Sequence, residues 1–240
     1  MRLIVTAATA AAGLSLLVTA CSSASSAGSA PSVRSATAVA SSVSSSPDTR
    51  LFTGTQLKAM LEPATYFPSG FKRDANGAVN TGSAFQPASP PGKLPCTRLD
   101  GTSWVDLSGI GSVSFAQNDF LDSAAVEEYA QEIDEFPGTG AQDVMANLRR
   151  VVKTCPSFKD PQTGAKVAVK LGHGPSVGDD SLSFTLTSPS WQGGTTLVAI
   201  RVGTAVVSVL YSASSGTGAT PAKALADRIA SQVISRSLAA

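Results

Sequence analysis

The N-terminal segment of this 240-residue chain indicates the compartment in which the rest of the chain folds. Arg2 is followed by an apolar stretch, Leu3 to Val18, broken only by Thr, Ser and Gly, which is the layout of a secretory signal peptide. This stretch is shorter than the about 20 apolar residues that a bilayer-spanning helix needs. We therefore predict that residues 1–20 are a signal peptide and that the protein is exported.

The segment Leu17-Val18-Thr19-Ala20-Cys21 resembles the bacterial lipobox, in which small residues precede a cysteine that receives a thioether-linked diacylglycerol. The resemblance implies acylation of Cys21, with chains such as palmitate, and anchoring on the outer face of the cytoplasmic membrane. Each methylene buried in the bilayer contributes about 0.8 kcal/mol to such anchoring. The alternative is an ordinary signal peptide whose cleavage site happens to flank a cysteine.

Residues 22–50 contain 12 Ser among 29 residues, no aromatic side chain and only three charged ones. Such a segment cannot bury a core. We therefore predict that residues 21–50 are a lipidated Ser/Ala-rich tether with an r.m.s. reach of about 30 Å. The remaining residues, 51–240, fit one domain.

The cysteine count predicts a disulfide. The sequence has three cysteines, and acylation of Cys21 leaves Cys96 and Cys155, which an exported protein usually joins. Closing a loop of about 60 residues stabilises a domain by on the order of 4 kcal/mol in the chain-entropy model. The alternative is a reactive thiol, which needs an electropositive pocket.

Charge and composition exclude several functions. Without the signal peptide, 17 basic residues balance 17 acidic ones, so the chain has no basic stripe for nucleic-acid binding. One histidine and three cysteines are too few for a typical zinc or iron–sulfur site. We expect no nucleic-acid partner, no metal and no cofactor.

Helix-type and strand-type patterns alternate in residues 51–240. Apolar spacing and turn signals predict helices over 122–136, over 139–154, and from Thr220 onward, with shorter strands at 104–107 and 110–116. Four more strands are predicted at Lys166 to Leu171, Ser181 to Thr187, Thr195 to Arg201 and Ala205 to Tyr211. Their short links favour antiparallel pairing. The predicted fold class is α+β, a mostly antiparallel sheet with helices packed on one face.

An acidic run lies on the helix predicted over 122–136. Paired carboxylates are the catalytic groups of glycoside hydrolases, but on one helix these side chains would point mainly to solvent. We interpret the run as a solvated polar face: Glu127, Glu128, Glu132, Asp134 and Glu135.

The segment from Gly174 to Gly178 matches the spelling of the nucleophile elbow, G-x-S-x-G. In such hydrolases an acid and then a histidine follow the serine, whereas the only histidine, His173, precedes Ser176. We interpret this segment as a turn in which Asp179 or Asp180 caps backbone groups. We expect no catalytic residues, and an envelope hydrolase that uses the His173–Asp180 segment is the alternative.

Trp104 and Trp191 are the candidate contacts for a ligand or partner, because binding pockets favour aromatic side chains. Trp191 lies in a Gly-, Ser- and Pro-containing segment that is predicted to be a loop tip between strands. Core packing is the competing interpretation for the aromatic residues.

Several short pieces carry a family resemblance: Cys96, the predicted acidic helix and the chain up to Cys155-Pro156, the segment 177–180 before a strand and the segment 201–203 between two strands. Together with the lipobox, the tether and the helix that contains Leu57 and Leu61, they resemble the PknH-type extracellular sensor domain family over about residues 51–240. The resemblance implies an α+β domain with disulfide support and a ligand-binding cleft. Family members often have four cysteines, so a second disulfide is not expected here.

These patterns predict a membrane-anchored, extracytoplasmic lipoprotein with a non-catalytic, sensor-like domain. Its ligand would be a small molecule, a lipid or an envelope fragment, and an envelope protein partner would carry any signal. A structural lipoprotein that acts through protein contact alone is a second alternative.

Overall fold

The computed structural model describes residues 50–239, which form one eight-stranded antiparallel sheet and three α-helices. The strands are β1 (Lys72–Arg73), β2 (Ser114–Asp122), β3 (Glu127–Glu135), β4 (Ser157–Lys159), β5 (Lys166–Gly172), β6 (Asp180–Thr187), β7 (Thr195–Val202) and β8 (Ala205–Ser212). The helices are α1 (Gly54–Lys58), α2 (Gly140–Thr154) and α3 (Ala219–Leu238). The α+β class is confirmed. The signal peptide, Cys21 and the tether up to residue 49 lie outside the described residues.

The strand order is β1-β2-β3-β8-β7-β6-β5-β4, which places β7 and β8 in the middle. This hairpin turns at Gly203, whose φ of 59° suits a residue without a side chain. Both of its faces are apolar: Ile200 and Val207 lie on one side, and Leu197 and Leu210 on the other. The hairpin is therefore buried on both faces.

The helices lie on opposite faces of the sheet. α3 covers the side of Ile200 and Val207 with Leu225, Ile229 and Val233, and α2 covers the other side with Val144, Met145 and Leu148. The expectation that the helices pack on one face is wrong, because a central hairpin with two apolar faces needs a cover on each.

The helix expected over 122–136 is wrong. These residues form the end of β2, a turn and β3, paired from Ser114↔Glu135 to Asp122↔Glu127. Asp122 Oδ1 accepts hydrogen bonds from the backbone N–H groups of Ala124 and Ala125, which closes the turn. β3 also pairs with β8, where the rings of Tyr129 and Tyr211 stack 4.0 Å apart.

Two shorter strand predictions change as well. Residues expected as a strand at 104–107 form a 3₁₀ turn, Trp104–Ser108, and the strand expected at 110–116 begins only at Ser114. The 3₁₀ turn packs against α2, and the hydroxyl-bearing residue before it, Ser103, reaches the β2–β3 hairpin.

The disulfide predicted from the cysteine count is present: Cys96 and Cys155 are bonded across 59 positions of sequence. It joins the segment before the 3₁₀ turn to the residue that ends α2. Within residues 50–239, no helix has the length and apolar character needed to cross a bilayer.

Candidate functional site

Three carboxyl side chains lie together on the α2 side of the β2–β3 hairpin. Side chains alternate between the two faces of a strand, so Asp119 on β2 shares this face with Glu132 and Asp134 on β3. Gln117 lies directly opposite Glu132 in the strand register. We call Asp119, Glu132 and Asp134 the carboxyl cluster.

The carboxyl cluster is buried. Asp119, Glu132 and Asp134 expose only 5%, 6% and 7% of their surface, which is unusual because acidic residues are almost never fully buried without a partner. The cation nearest to Glu132, Arg98, is engaged elsewhere: its guanidinium forms a 2.8 Å ion pair with Asp106. The cluster therefore has no basic side chain of its own to balance it among the described residues.

A hydrogen-bonded chain links the two strands. Ser103 Oγ lies 3.3 Å from Glu132 Oε1 and 3.4 Å from Gln117 Oε1, and Gln117 Nε2 donates to Asp119 Oδ2 over 2.7 Å. A hydroxyl has one proton and can donate to only one of two acceptors. All three contacts are satisfied when a protonated Glu132 donates to Ser103, Ser103 donates to Gln117, and Gln117 donates to Asp119.

Burial supports this protonation state. It raises the pKa of Glu132 well above its usual value, and the neighbouring Asp134 raises it further. Burial also raises the pKa of Asp119 to about 8, although the hydrogen bond from Gln117 opposes the change. The pKa of Asp134 is raised to about 7, again mainly by burial. The carboxyl cluster therefore retains protons at neutral pH.

Two carboxyl oxygens of the cluster have no hydrogen-bond partner in the structure: Asp119 Oδ1 and Glu132 Oε2. A buried acceptor without a donor costs about 1–3 kcal/mol. Such groups call for a structural or functional reason. Here Glu132 Oε2 is an acceptor available to a donor group, and Asp119 Oδ1 becomes one when Asp119 gives up its proton, which a cationic amine beside it favours.

Ser103 and Gly77 lie directly against the carboxyl cluster. Ser103 has a φ of 52°, a left-handed conformation that is uncommon for residues other than glycine. Gly77 lies so close to the cluster that a Cβ there would be 2.2 Å from Asp119 Oδ2. The cluster is thus a closed polar site beneath a strained turn.

No group of three or more His, Cys, Asp or Glu side chains within residues 50–239 is placed to hold a metal ion. The carboxyl groups of the cluster can hold protons and accept hydrogen bonds.

The interpretation of the acidic run as a solvated face is wrong for most of its members. Glu132, Asp134 and Glu135 are buried on a strand, and only Glu127 and Glu128 at the turn keep more exposure. Glu127 accepts hydrogen bonds from the Tyr211 hydroxyl and from the backbone and hydroxyl of Ser214. Although its partial burial acts in the opposite direction, these bonds lower the pKa of Glu127 below its usual value.

The residues of the hydrolase alternative do not form a hydrogen-bonded triad. Asp179 accepts from the Gly203 backbone N–H at 2.7 Å and from Arg201 at 3.1 Å. Within residues 50–239, no hydrogen bond joins the side chains of His173 and Ser176 to each other or to Asp179. Asp179 therefore caps backbone in a turn, as the sequence indicated.

The two tryptophans occupy different positions. Trp104 is 1% exposed and packs edge-on against Phe184 in the core. Trp191 is half-buried, and its indole N–H donates to Asp160 over 3.1 Å. The ligand or partner contact predicted for them stays a prediction, since Trp104 would have to leave the core to make it and Trp191 keeps part of its ring at the surface.

An antiparallel sheet with helices on both faces and an internal disulfide defines an α+β domain. No family model matches the chain, and no curated protein matches it. Among solved structures, it is similar to the extracellular domain of PknH from Mycobacterium tuberculosis, with a TM-score of 0.53 at 12% sequence identity. The match covers 80% of this chain and 100% of that one. The two proteins share a fold.

The carboxyl cluster itself escaped the sequence analysis. A usable signal was present: Gln117, Asp119, Glu132 and Asp134 recur at spacings of two, the period of a strand. That signal becomes visible only when residues 127–135 are treated as a strand rather than as a helix.

Proposed function

We propose that this protein is a lipid-anchored extracytoplasmic lipoprotein whose domain is a non-catalytic, sensor-like binding module. The N-terminal sequence supports export and acylation at Cys21. The disulfide suits an oxidising compartment. The fold shared with an extracellular domain supports the same location.

The observation that carries the binding function is the pair of unpartnered buried oxygens, Asp119 Oδ1 and Glu132 Oε2. A ligand that presents amine or hydroxyl groups would supply the donors that they lack. Binding pockets typically combine apolar surroundings with a few such polar groups. We therefore propose the carboxyl cluster as the ligand site, with a small amine- or hydroxyl-bearing molecule or envelope fragment as its ligand.

Ligand entry in this proposal requires Ser103 to move. Its hydroxyl bridges Glu132 and Gln117, and its left-handed backbone stores strain that a rearrangement would release. Because Ser103 belongs to the turn next to α2, binding at the carboxyl cluster would displace this turn. That displacement is the signal that an envelope partner would recognise.

The test is native mass spectrometry of the mature chain, purified with its membrane from a host with a comparable envelope. We expect an adduct on the wild-type chain that is lost on denaturation and absent from Asp119→Asn. In that variant an amide nitrogen replaces Asp119 Oδ1, and because it cannot give up its hydrogens it cannot accept a hydrogen bond from the ligand.

The matched control is Asp143→Asn, which makes the same change at an exposed position of α2. It should keep the adduct. An adduct of equal abundance in both variants, or a wild-type chain without any adduct, would contradict a ligand site at the carboxyl cluster.

A further inference from the structure

A second polar region lies on the α3 side of the sheet, on the opposite side from the carboxyl cluster. It is next to Arg50, the first residue that the structure describes. A cavity of about 270 Å³ opens between α1 and the C-terminal end of α3. It is lined by Arg50, Phe52, Gln56, Ala59, Met60, Arg236 and Ala239. We call it the arginine cavity.

The arginine cavity combines charge with an apolar floor. Phe52 and Met60 belong to the core and present its edge to the cavity. Arg50 and Arg236 are exposed, and within residues 50–239 neither guanidinium has an ion-pair or hydrogen-bond partner. A larger and more open depression of about 550 Å³ shares Arg236 and continues along α3 past Gln232 to Arg228.

This chemistry matches a phosphate group attached to an apolar body. The planar guanidinium of arginine binds phosphate oxygens through paired hydrogen bonds. The apolar floor can take the glycerol or the first methylenes of an acyl chain. At about 270 Å³ the cavity holds a headgroup rather than a whole lipid, since pockets for drug-sized ligands span roughly 300–1,000 Å³.

The position of the cavity selects the membrane as the source of this phosphate. Arg50 ends the predicted tether, so the cavity lies where the segment from Cys21 enters the domain. We propose that the arginine cavity binds the anionic headgroup of a membrane phospholipid. The inference rests on the proposed membrane anchor, and it assigns the domain a preferred face toward the bilayer.

The test uses the full mature chain with Cys21→Ser, so that an acyl anchor cannot supply the binding. The chain is floated with vesicles of phosphatidylcholine alone and with vesicles that also contain phosphatidylglycerol. We expect binding only to the anionic vesicles. Because each basic residue near such a surface contributes about 1 kcal/mol, Arg50→Gln with Arg236→Gln should lower the partition coefficient roughly tenfold or more.

The matched control removes two other positive charges. Lys166 and Lys170 are exposed on β5, toward the opposite edge of the sheet, and Lys166→Gln with Lys170→Gln should change the partition coefficient less than about twofold. An equal loss in both double variants would overturn the proposal, because it would mean binding through diffuse charge.

A variant that fills the cavity tests whether binding needs the cavity itself or only the charges of Arg50 and Arg236. Ala59 is exposed in the lining, so Ala59→Phe should occupy the space without disturbing the core, and we expect weaker binding with both arginines in place. Full binding by this variant would overturn the cavity as the site. Absence of any preference for anionic vesicles in the parent chain would also overturn the proposal. Neither result bears on acylation of Cys21, which is measured separately by labelling in cells.

Discussion

The hairpins β2–β3 and β7–β8 belong to one sheet and are joined through the β3–β8 pairing, yet they bury opposite chemistry. β7–β8 buries aliphatic side chains such as Leu197 and Ile200 on its two faces, whereas β2–β3 buries Asp119 and Glu132 on one of its faces. Buried aliphatic groups stabilise the fold, and unpartnered buried carboxyl oxygens destabilise it. The contrast teaches that both faces of β7–β8 stabilise the domain, whereas the α2 side of β2–β3 costs stability.

Among the substitutions, the largest effect is expected from loss of the disulfide. It closes a 59-residue separation that contains the whole β2–β3 hairpin, so Cys96→Ser with Cys155→Ser should lower the free energy of unfolding by about 4 kcal/mol. Urea denaturation measures this loss. Hydrogen exchange should show β2–β3 amides losing protection more than β7–β8 amides, and an equal loss in both hairpins would remove the contrast between them.

The second largest effect of a substitution on the free energy of unfolding is expected from a side-chain truncation in the central hairpin, β7–β8. Leu197 is fully buried against α2, and Leu197→Ala should cost about 3 kcal/mol in the free energy of unfolding. The paired variant is Glu132→Gln, which replaces a neutral acid with a neutral amide that can still donate to Ser103. At pH 6 it should leave the unfolding midpoint in urea unchanged. A cost for Glu132→Gln as large as that for Leu197→Ala would contradict a protonated Glu132.

The pH dependence of stability should have an unusual sign. Burial raises the pKa of Asp119 to about 8 and that of Asp134 to about 7. In the unfolded chain both carboxyl groups lose their protons near pH 4. Between about pH 4 and these raised pKa values, the folded state therefore binds more protons than the unfolded state. Stability is therefore greatest at the acidic end and falls as pH rises through this window.

Between pH 5 and pH 8 we expect Asp119 and Asp134 together to lower the free energy of unfolding by about 6 kcal/mol. Glu127, Asp160 and Asp180 have lowered pKa values, so their opposite contribution is lost only at lower pH. Urea denaturation across this range measures the slope, and Asp119→Asn should flatten it. A stability that rises from pH 5 to pH 8 would contradict the account.

The smallest effect is expected outside both hairpins. Trp191→Phe keeps an aromatic ring but removes the indole N–H that donates to Asp160, so it should cost about 1 kcal/mol in the free energy of unfolding. The slope of stability between pH 5 and pH 8 should not change in this variant. A changed slope would mean that the pH dependence does not arise at the carboxyl cluster.

The sequence predicts the second half of the domain well because β5 to β8 present β-branched and apolar residues between clear turn signals. Their observed bounds differ from the predicted ones by about one residue, within the usual uncertainty of element ends. The disulfide is equally accessible to the sequence, since the predicted acylation of Cys21 leaves a single pair of cysteines.

The β2–β3 hairpin was missed for a physical reason. Tyr129 and Ile133 are four residues apart, and both a helix and a strand place such a pair on one face. The Glu, Gln and Ala residues around them favour a helix by intrinsic propensity. Pairing with β8, which no local sequence pattern reveals, overrides that preference. The acidic residues therefore lie on a buried strand and not on the solvated helix face that the sequence predicts.

The most direct test of the central claim is a carboxyl-carbon NMR titration of the mature chain. The account predicts that Asp119 titrates with a pKa of about 8, that Glu132 stays protonated well above the usual range of a glutamate, and that Glu127 titrates below it. Ordinary titration of Asp119 and Glu132 near pH 4 would mean that the carboxyl cluster is hydrated and ionised, and it would contradict both the hydrogen-bonded chain and the proposed ligand site.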